Sequence, residues 1–154
     1  MVTPAGVAYN GRMDQPHLQP TLALTHAGAL AVLQAAMAKA TEIGVPQCIA
    51  VVDAGGNLLA FVRMDGAKVL SQLSATQKAV TAASSRAATG GADEALATKL
   101  ALATGGQVTN LKGGLPLVVD GQVVGAVGVG SGTGEQDVVV AQAGVAALRA
   151  GGAR

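Results

Sequence analysis

The 154-residue sequence has few of the residue types that most binding and catalytic sites require. It contains one cysteine, one tyrosine, one phenylalanine, two histidines and no tryptophan. No pair among the potential metal-binding side chains has the spacing of a metal site, so the sequence predicts no zinc centre. The single cysteine, Cys48, excludes an internal disulfide, and a reducing, cytoplasmic location is expected.

Charge is also scarce, because only 12% of the residues are Asp, Glu, Lys or Arg and the formal net charge is +1. There is no run of lysines or arginines with interleaved aromatics, so we do not expect a nucleic-acid partner. The longest apolar stretch, residues 27–38, contains Gln34 and is too short to cross a bilayer, so no membrane partner is expected. Sparse charge favours an apolar surface covered by further copies of the chain, although an alanine-rich composition alone would also explain it.

The length predicts a single domain. Residues 1–21 contain three prolines and no hydrophobic periodicity, and we interpret them as a flexible N-terminal arm rather than a signal peptide. Residues 22–150 carry the pattern of one mixed domain: a helix, a hairpin, two helices, a second hairpin and a last helix.

The first helix is predicted over residues 25–43, with Thr25 as its N-cap. Its apolar residues at helical spacing predict a buried stripe of Leu30, Leu33, Met37, Ala40 and Ile43. A hairpin with strands at 47–53 and 58–64 follows, and then helices at about 72–88 and 93–104.

Asp120-Gly121, between two valine-rich runs, predicts a type I′ turn that joins strands at 115–119 and 122–129. Both runs are almost continuously apolar, so both strands are expected in the middle of the sheet, covered on each face. Thr133 and Gln136 predict a capping box for a last helix that ends near Arg149.

Three charged residues are candidates for chemistry. Arg63 and Asp65 follow the second strand, where they could line a cleft or simply pair with each other to fix the turn. Lys78 lies in the middle of a helix among alanines. A buried lysine there could act as a base or form an imine, whereas the more usual interpretation is a side chain that extends to the surface.

The sequence matches none of the glycine-rich or nucleophile motifs that would indicate an established enzyme class. The glycines at 125, 128, 130, 132 and 134 match neither the dinucleotide-binding fingerprint nor the P-loop, and close packing explains them as well as anion binding does. No G-x-S-x-G sequence is present, so a serine hydrolase is not indicated.

Three strings in this order resemble the GlcG/HbpS family, which is similar to the C-terminal domain of PduO-type corrinoid adenosyltransferases: AVVDAGGNLLAFVRMDGA (50–67), QKAVTAA (77–83) and GGLPLVVDGQVVGAVGVGSG (113–132). The resemblance implies an α/β (α+β) domain with a profilin-like, five-stranded antiparallel sheet flanked by helices on both faces. It also implies homodimers that build larger assemblies such as octamers, and in some members haem binding.

The positions that match the family motifs are Asp53, Arg63, Asp65, Gly66, Lys78, Gly113, Gly114, Pro116, Asp120, Gly121 and Asp137. This sequence departs from many relatives at Asn57, where they carry histidine, and at residues 130–132, where they read Ser-Gly-Gly. Adenosyltransferase activity is not implied, because it belongs to a different domain of PduO proteins.

The first hypothesis is a small-ligand-binding protein for haem or another carboxylate-bearing molecule. Its predicted ligand-binding residues are Arg63, Asp65, Lys78, Gly113, Gly114 and Pro116, and His26 is the candidate haem ligand. The alternative is a catabolic enzyme, a lyase, isomerase or hydratase of a small oxo- or hydroxy-acid. Lys78 or Asp65 would then be its base and Arg63 its carboxylate clamp. A third hypothesis makes the same loops contacts of an assembly.

Overall fold

The computed structural model describes residues 17–151, so the residues of the predicted arm before 17 lie outside it. The elements of the described part are α1 (His26–Glu42), β1 (Cys48–Asp53), β2 (Leu58–Arg63), α2 (Ser71–Ser85), α3 (Glu94–Ala103), β3 (Gly114–Val119), β4 (Gln122–Gly130) and α4 (Gly134–Gly151). Their order is the one predicted from the sequence.

The strands form one antiparallel sheet in the order β2-β1-β4-β3. The fold class is therefore confirmed, with four strands between residues 17 and 151 where the resemblance implied five. All four belong to the two predicted hairpins. β1 of the first hairpin pairs with β4 of the second along six residues, so these two strands are interior and β2 and β3 are the edges.

Helices cover both faces of the sheet because side chains alternate along each strand. Ile49 and Val51 of β1 belong to the core beneath α1 and α4, whereas Cys48, Ala50 and Val52 pack with alanines of α2. On the second face, α2 packs very close to the backbone of the sheet. A Cβ at Gly128 of β4 would collide with the backbone of α2, so small residues set the spacing between helix and sheet.

The prediction for α1 was correct at its start and for four of the five residues of its buried face, since Leu33 and Ala40 are buried and Met37 and Ile43 pack against the core. Thr25 is the N-cap and accepts a hydrogen bond from the Gly28 amide at 3.1 Å. Leu30, however, is exposed, and the buried residues are Ala29, Val32, Leu33, Ala36 and Ala40. The reason lies in α4, where Gly144 lets the two helices approach so closely that only small side chains of α1 fit between them.

The second hairpin has the predicted turn, but only one of its two strands lies in the middle of the sheet as predicted. Asp120 and Gly121 both have positive φ values, 50° and 75°, as a type I′ turn requires. Only β4 is interior, because β3 is an edge strand and several of its residues are half-buried. Pro116 lies on this edge, where the missing N–H of proline costs no central pairing.

Helix ends otherwise follow the sequence. Thr133 and Gln136 form the predicted capping box, with reciprocal hydrogen bonds of 2.9 and 3.3 Å. Asp93 caps α3 through the Leu96 amide. Helix α2 ends earlier than predicted because Arg86 adopts the left-handed conformation, with φ of 56°.

Candidate functional site

One small cavity collects the chemistry-bearing residues at the end of β4, where the first residues of α2 and α4 meet. Its volume is about 220 Å³. We call it the lysine pocket; the residues that line it are Lys68, Ser71, Ser74, Lys78, Leu111, Lys112, Ser131, Gly132, Gly134 and Asp137. Three of the ten lining residues are lysines, in a chain that is otherwise poor in charge.

Lys78 is the most constrained of these lysines. Its residue is only 4% exposed, so the expectation that its side chain extends to the surface is wrong. The ammonium donates to the Val129 carbonyl oxygen and to Asp137 Oδ2, both at 2.7 Å. Small neighbours make this burial possible, because α2 packs closely against the sheet through alanines.

Asp137, in the first turn of α4, is the acidic partner and is 2% exposed. Its second oxygen, Oδ1, accepts from the Gly132 amide at 3.0 Å. The carboxylate therefore has an ion pair and an amide donor, and it also lies near the positive end of the α4 dipole. Both of its oxygens are used within the protein.

Gly113 and Gly114 lie against this ion pair for packing reasons. A Cβ at Gly113 would be 2.7 Å from the Asp137 Cβ and 3.3 Å from Lys78 Nζ, and one at Gly114 would collide with the Lys78 carbonyl. The Gly114 amide donates to Thr89 Oγ1 at 2.9 Å. That amide is already bonded within the protein, so this geometry gives no support to the predicted role of Gly114 in holding a ligand carboxylate.

The other groups of the pocket are mainly hydrogen-bond donors. Ser131 Oγ accepts from the Lys68 amide at 2.9 Å, which leaves its own hydrogen able to donate. Lys68 has no ion-pair partner among residues 17–151. Lys112 pairs with Glu135 at 2.8 Å; this hydrogen bond raises the pKa of the lysine and lowers that of the glutamate.

Arg63 and Asp65 do not reach the lysine pocket. Both are exposed and line a separate open groove of about 500 Å³ between α1 and the end of β2, together with Met37 and Met64. The predicted ion pair between them is not formed, since none of the ion pairs in the described part of the chain includes Arg63. The structure therefore divides the predicted site residues between two places.

Candidate metal ligands are equally dispersed. His26 is exposed at the first residue of α1. Cys48 is buried in β1, as expected for a small core residue, and burial raises the pKa of its thiol. Between residues 17 and 151 there is no group of three or more His, Cys, Asp or Glu residues that could hold a metal ion. None of the helices in this range has the length and apolarity needed to cross a membrane.

Sequence reasoning missed Lys68, Lys112 and Ser131. Lys112 directly precedes the glycine pair that the motif singled out, and Ser131 follows the last residue of β4, so adjacency to the motif was the available signal. Lys68 lies in the loop before α2, and its approach to Ser131 depends on how α2 crosses the sheet. No sequence pattern shows that crossing.

Comparison with known proteins agrees with this fold. A model of the family described as haem degrading protein HbpS-like matches residues 24–146. Protein GlcG of Escherichia coli is 41% identical over 102 residues, which are 66% of this chain and 76% of GlcG.

Two solved structures are similar over most of the chain. A double mutant of HbpS from Streptomyces reticuli has a TM-score of 0.77 and 34% identity, covering 96% of this chain and 99% of that one. The PduOC:Heme complex has a TM-score of 0.76 and 30% identity, covering 82% of this chain and 95% of that one. The protein therefore belongs to the HbpS-like family.

Proposed function

We propose that this protein binds a small carboxylate-bearing ligand and that the ligand's carboxylate occupies the lysine pocket. The observation that carries this proposal is the incomplete hydrogen bonding of the buried Lys78 ammonium group. An ammonium group has three N–H donors, and among residues 17–151 only two of them have acceptors. The group is buried and lines the cavity, so a ligand oxygen is well suited to complete its hydrogen bonds.

Haem is the first ligand to test, because the family is described as haem degrading and one similar structure is a haem complex. The pocket is smaller than the roughly 300–1,000 Å³ of sites that enclose a drug-sized ligand. It admits a propionate but not the ring. Exposed Val69 and Leu70, next to Lys68, and exposed Leu111, next to Lys112, offer an apolar surface against which a ring can lie.

The lining of the pocket does not fit haem as an iron-ligated cofactor. None of the ten lining residues is a histidine, cysteine, methionine or tyrosine, the side chains that commonly ligate haem iron. The pocket and the exposed apolar residues beside it therefore support binding of the carboxylates and the ring of a tetrapyrrole. They offer no ligand for its metal, and we assign the iron no part in binding at this site.

This distinction gives a direct test with three related compounds: hemin, iron-free protoporphyrin IX and protoporphyrin IX dimethyl ester. If carboxylates anchor the ligand, hemin and protoporphyrin IX bind with similar affinity, and the ester, which has no free carboxylate, binds at least about tenfold more weakly. Absorbance and fluorescence titrations at micromolar protein measure all three. Binding of hemin alone would contradict the proposal.

A matched pair of variants locates the site. Lys68→Ala removes the lysine of the pocket that lacks an ion-pair partner, and protoporphyrin affinity is expected to fall about tenfold. Lys99→Ala removes an exposed lysine of α3 that lies outside the pocket lining, and affinity should stay unchanged. Equal losses in both variants would indicate nonspecific attraction and contradict a site at this pocket.

The catalytic alternative receives no support from this geometry. It required Lys78 or Asp65 as base and Arg63 as carboxylate clamp around one substrate. Lys78 is in the lysine pocket, whereas Arg63 and Asp65 line the groove beside α1. We therefore retain ligand binding as the proposed function.

A further inference from the structure

We infer that the lysine pocket is a complete binding site for a small free oxyanion, a carboxylate or a phosphate, which needs no attached ring. This inference rests on the site of the proposed function and extends its ligands to compact anions, phosphate included, that carry no ring. The three lysines supply the positive charge, and two of them already have acidic partners, so Lys68 supplies the net excess.

The donor groups around the cavity are matched to an anion rather than to a cation. Lys78 has an N–H without an acceptor, and the Ser131 hydroxyl accepts from the Lys68 amide while keeping its own hydrogen. Asp137 lines the same space, but both of its oxygens are engaged by Lys78 and Gly132. A cation would therefore have to displace an existing ion pair, whereas an oxyanion accepts from groups that are still free.

Gln47 lies behind Gly132 in the cavity wall and carries a side-chain donor that residues 17–151 leave unused. Its side chain is fully buried, and its Oε1 accepts from the Gly132 amide at 3.1 Å. Its Nε2 has no hydrogen-bond partner in the part of the chain that the structure describes. A Cβ at Gly132, which lines the pocket, would be only 2.7 Å from this nitrogen. We include in the inference that an anion beside Gly132, directly or through a water that it orders, would supply the missing acceptor.

The surroundings suit a compact ion. Ser71 and Gly134, the first residues of α2 and α4, both line the cavity, so the positive ends of two helix dipoles are directed at it. A volume of about 220 Å³ holds a phosphate or a short carboxylate without moving the walls.

The test is a titration of the ¹⁵N-labelled protein with inorganic phosphate and, separately, with acetate, at constant ionic strength set with chloride. Saturable shifts of the Ser131, Gly132 and Gly134 amides are expected with at least one of the two ions. Acetate alone would identify carboxylates as the ligand class, and phosphate alone would identify phosphates. The absence of saturable shifts with both ions would overturn the inference.

Variants make the result specific to the pocket. Lys68→Ala should weaken anion binding about tenfold, and Lys99→Ala should leave it unchanged. Gln47→Met, which keeps the volume and removes the unpartnered donor, should weaken it several-fold. An unchanged affinity in Gln47→Met would remove this residue from the site, and equal losses for both lysine variants would overturn the assignment to the pocket.

The small-anion titration and the porphyrin titration can give different results, so the oxyanion site and the tetrapyrrole function can fail independently. If phosphate or acetate binds and protoporphyrin IX does not, the oxyanion site stands and the tetrapyrrole function fails. If protoporphyrin IX binds with unchanged affinity in Lys68→Ala and neither small ion binds, the oxyanion site fails, and the ring-bearing ligand occupies another surface.

Discussion

At the scale of single residues, the stability of the site depends on one buried ion pair. Lys78 and Asp137 are 4% and 2% exposed, and each is the other's charged partner. Taking two charges out of water costs several kcal/mol each, and their attraction and hydrogen bonds offset that cost only while both are present. The pair therefore shapes the pocket and makes it sensitive to loss of either member.

Lys78→Met should reduce the free energy of unfolding by about 3–5 kcal/mol, because Asp137 would stay buried without its partner. Lys78→Met combined with Asp137→Asn should recover much of this loss, since the amide oxygen can still accept from Gly132. Urea unfolding measures both. Lys112→Met, which breaks the exposed pair with Glu135, is the control and should leave the midpoint nearly unchanged. A double variant no more stable than the single one would contradict this account.

The turn between β1 and β2 depends on Asp53. Hydrogen bonds from the Asn57 amide, then from the Asn57 side chain and the Gly55 amide, hold the pKa of this carboxyl below its ordinary value of 3.8. Because the pKa of Asp53 is lower in the folded state than its ordinary value, the ionised carboxylate stabilises the fold at pH values above 3.8. This contribution is lost as the pH falls below 3.8 through the lowered value.

Asp53→Asn should therefore be less stable than the wild type at pH 7, and the difference should shrink as the pH falls through and below 3.8. Urea unfolding at a series of pH values measures the difference. Asp65→Asn serves as the control, because Asp65 accepts no hydrogen bond from a side chain or amide in the described part of the chain. A pH-independent difference for Asp53→Asn would contradict the role of its charge.

At the scale of elements, the helices differ in how firmly they are held. Ala97 is the sole buried residue of α3, whereas α2 buries six residues against the sheet. Positive-φ glycines lie on both sides of α3, at 90 and at 105–106. The Asn110 side chain bonds to both backbone groups of Ala92, just before the helix, and donates to Glu94 Oε1 in its first turn at 3.4 Å. Local opening of α3 therefore exposes fewer buried residues than local opening of α2.

Amides of α3 should exchange with solvent through local opening, faster than those of α2 or β4, because little apolar surface is exposed by that opening. Hydrogen exchange followed by mass spectrometry measures this. Asn110→Ala should accelerate exchange across α3 and leave β4 unchanged. If α3 and β4 exchange at the same rate, the helix opens only with the whole domain and the prediction is wrong.

At the scale of the whole molecule, the exposed apolar side chains support the proposal that the chain assembles with copies of itself. Helix α3 presents Leu96, Leu100 and Leu102 to solvent, and Leu102 is 79% exposed. Leu96 and Leu100 lie one turn apart on the same face of the helix, and adjacent exposed leucines of this kind favour a surface that another subunit covers. A second copy that covers α3 would also hold the helix in place.

Leu96→Lys combined with Leu100→Lys should shift the protein to a smaller species in sedimentation velocity at micromolar concentration, because buried lysines oppose an apolar interface. Leu30→Lys, on the exposed face of α1, is the matched control and should leave the assembly unchanged. A wild-type protein that sediments as a monomer at every concentration would contradict self-association through α3.

The sequence by itself determined the elements and much of their ends, because these depend on local rules. Thr25, the Asp120-Gly121 turn and the capping box of Thr133 and Gln136 each need only neighbours a few residues away. The family, and with it the sandwich of helices on an antiparallel sheet, followed from three motifs in order.

Only the tertiary structure decided which faces are buried and which candidates meet. Leu30 turns outward because α4 approaches α1 at Gly144, and Lys78 is buried because α2 lies close to Gly128. Arg63 and Asp65 lie apart from Lys78 because β2 and α2 direct them to different cavities. These outcomes depend on the distance between elements remote in sequence, and a pattern of neighbouring residues does not contain that distance.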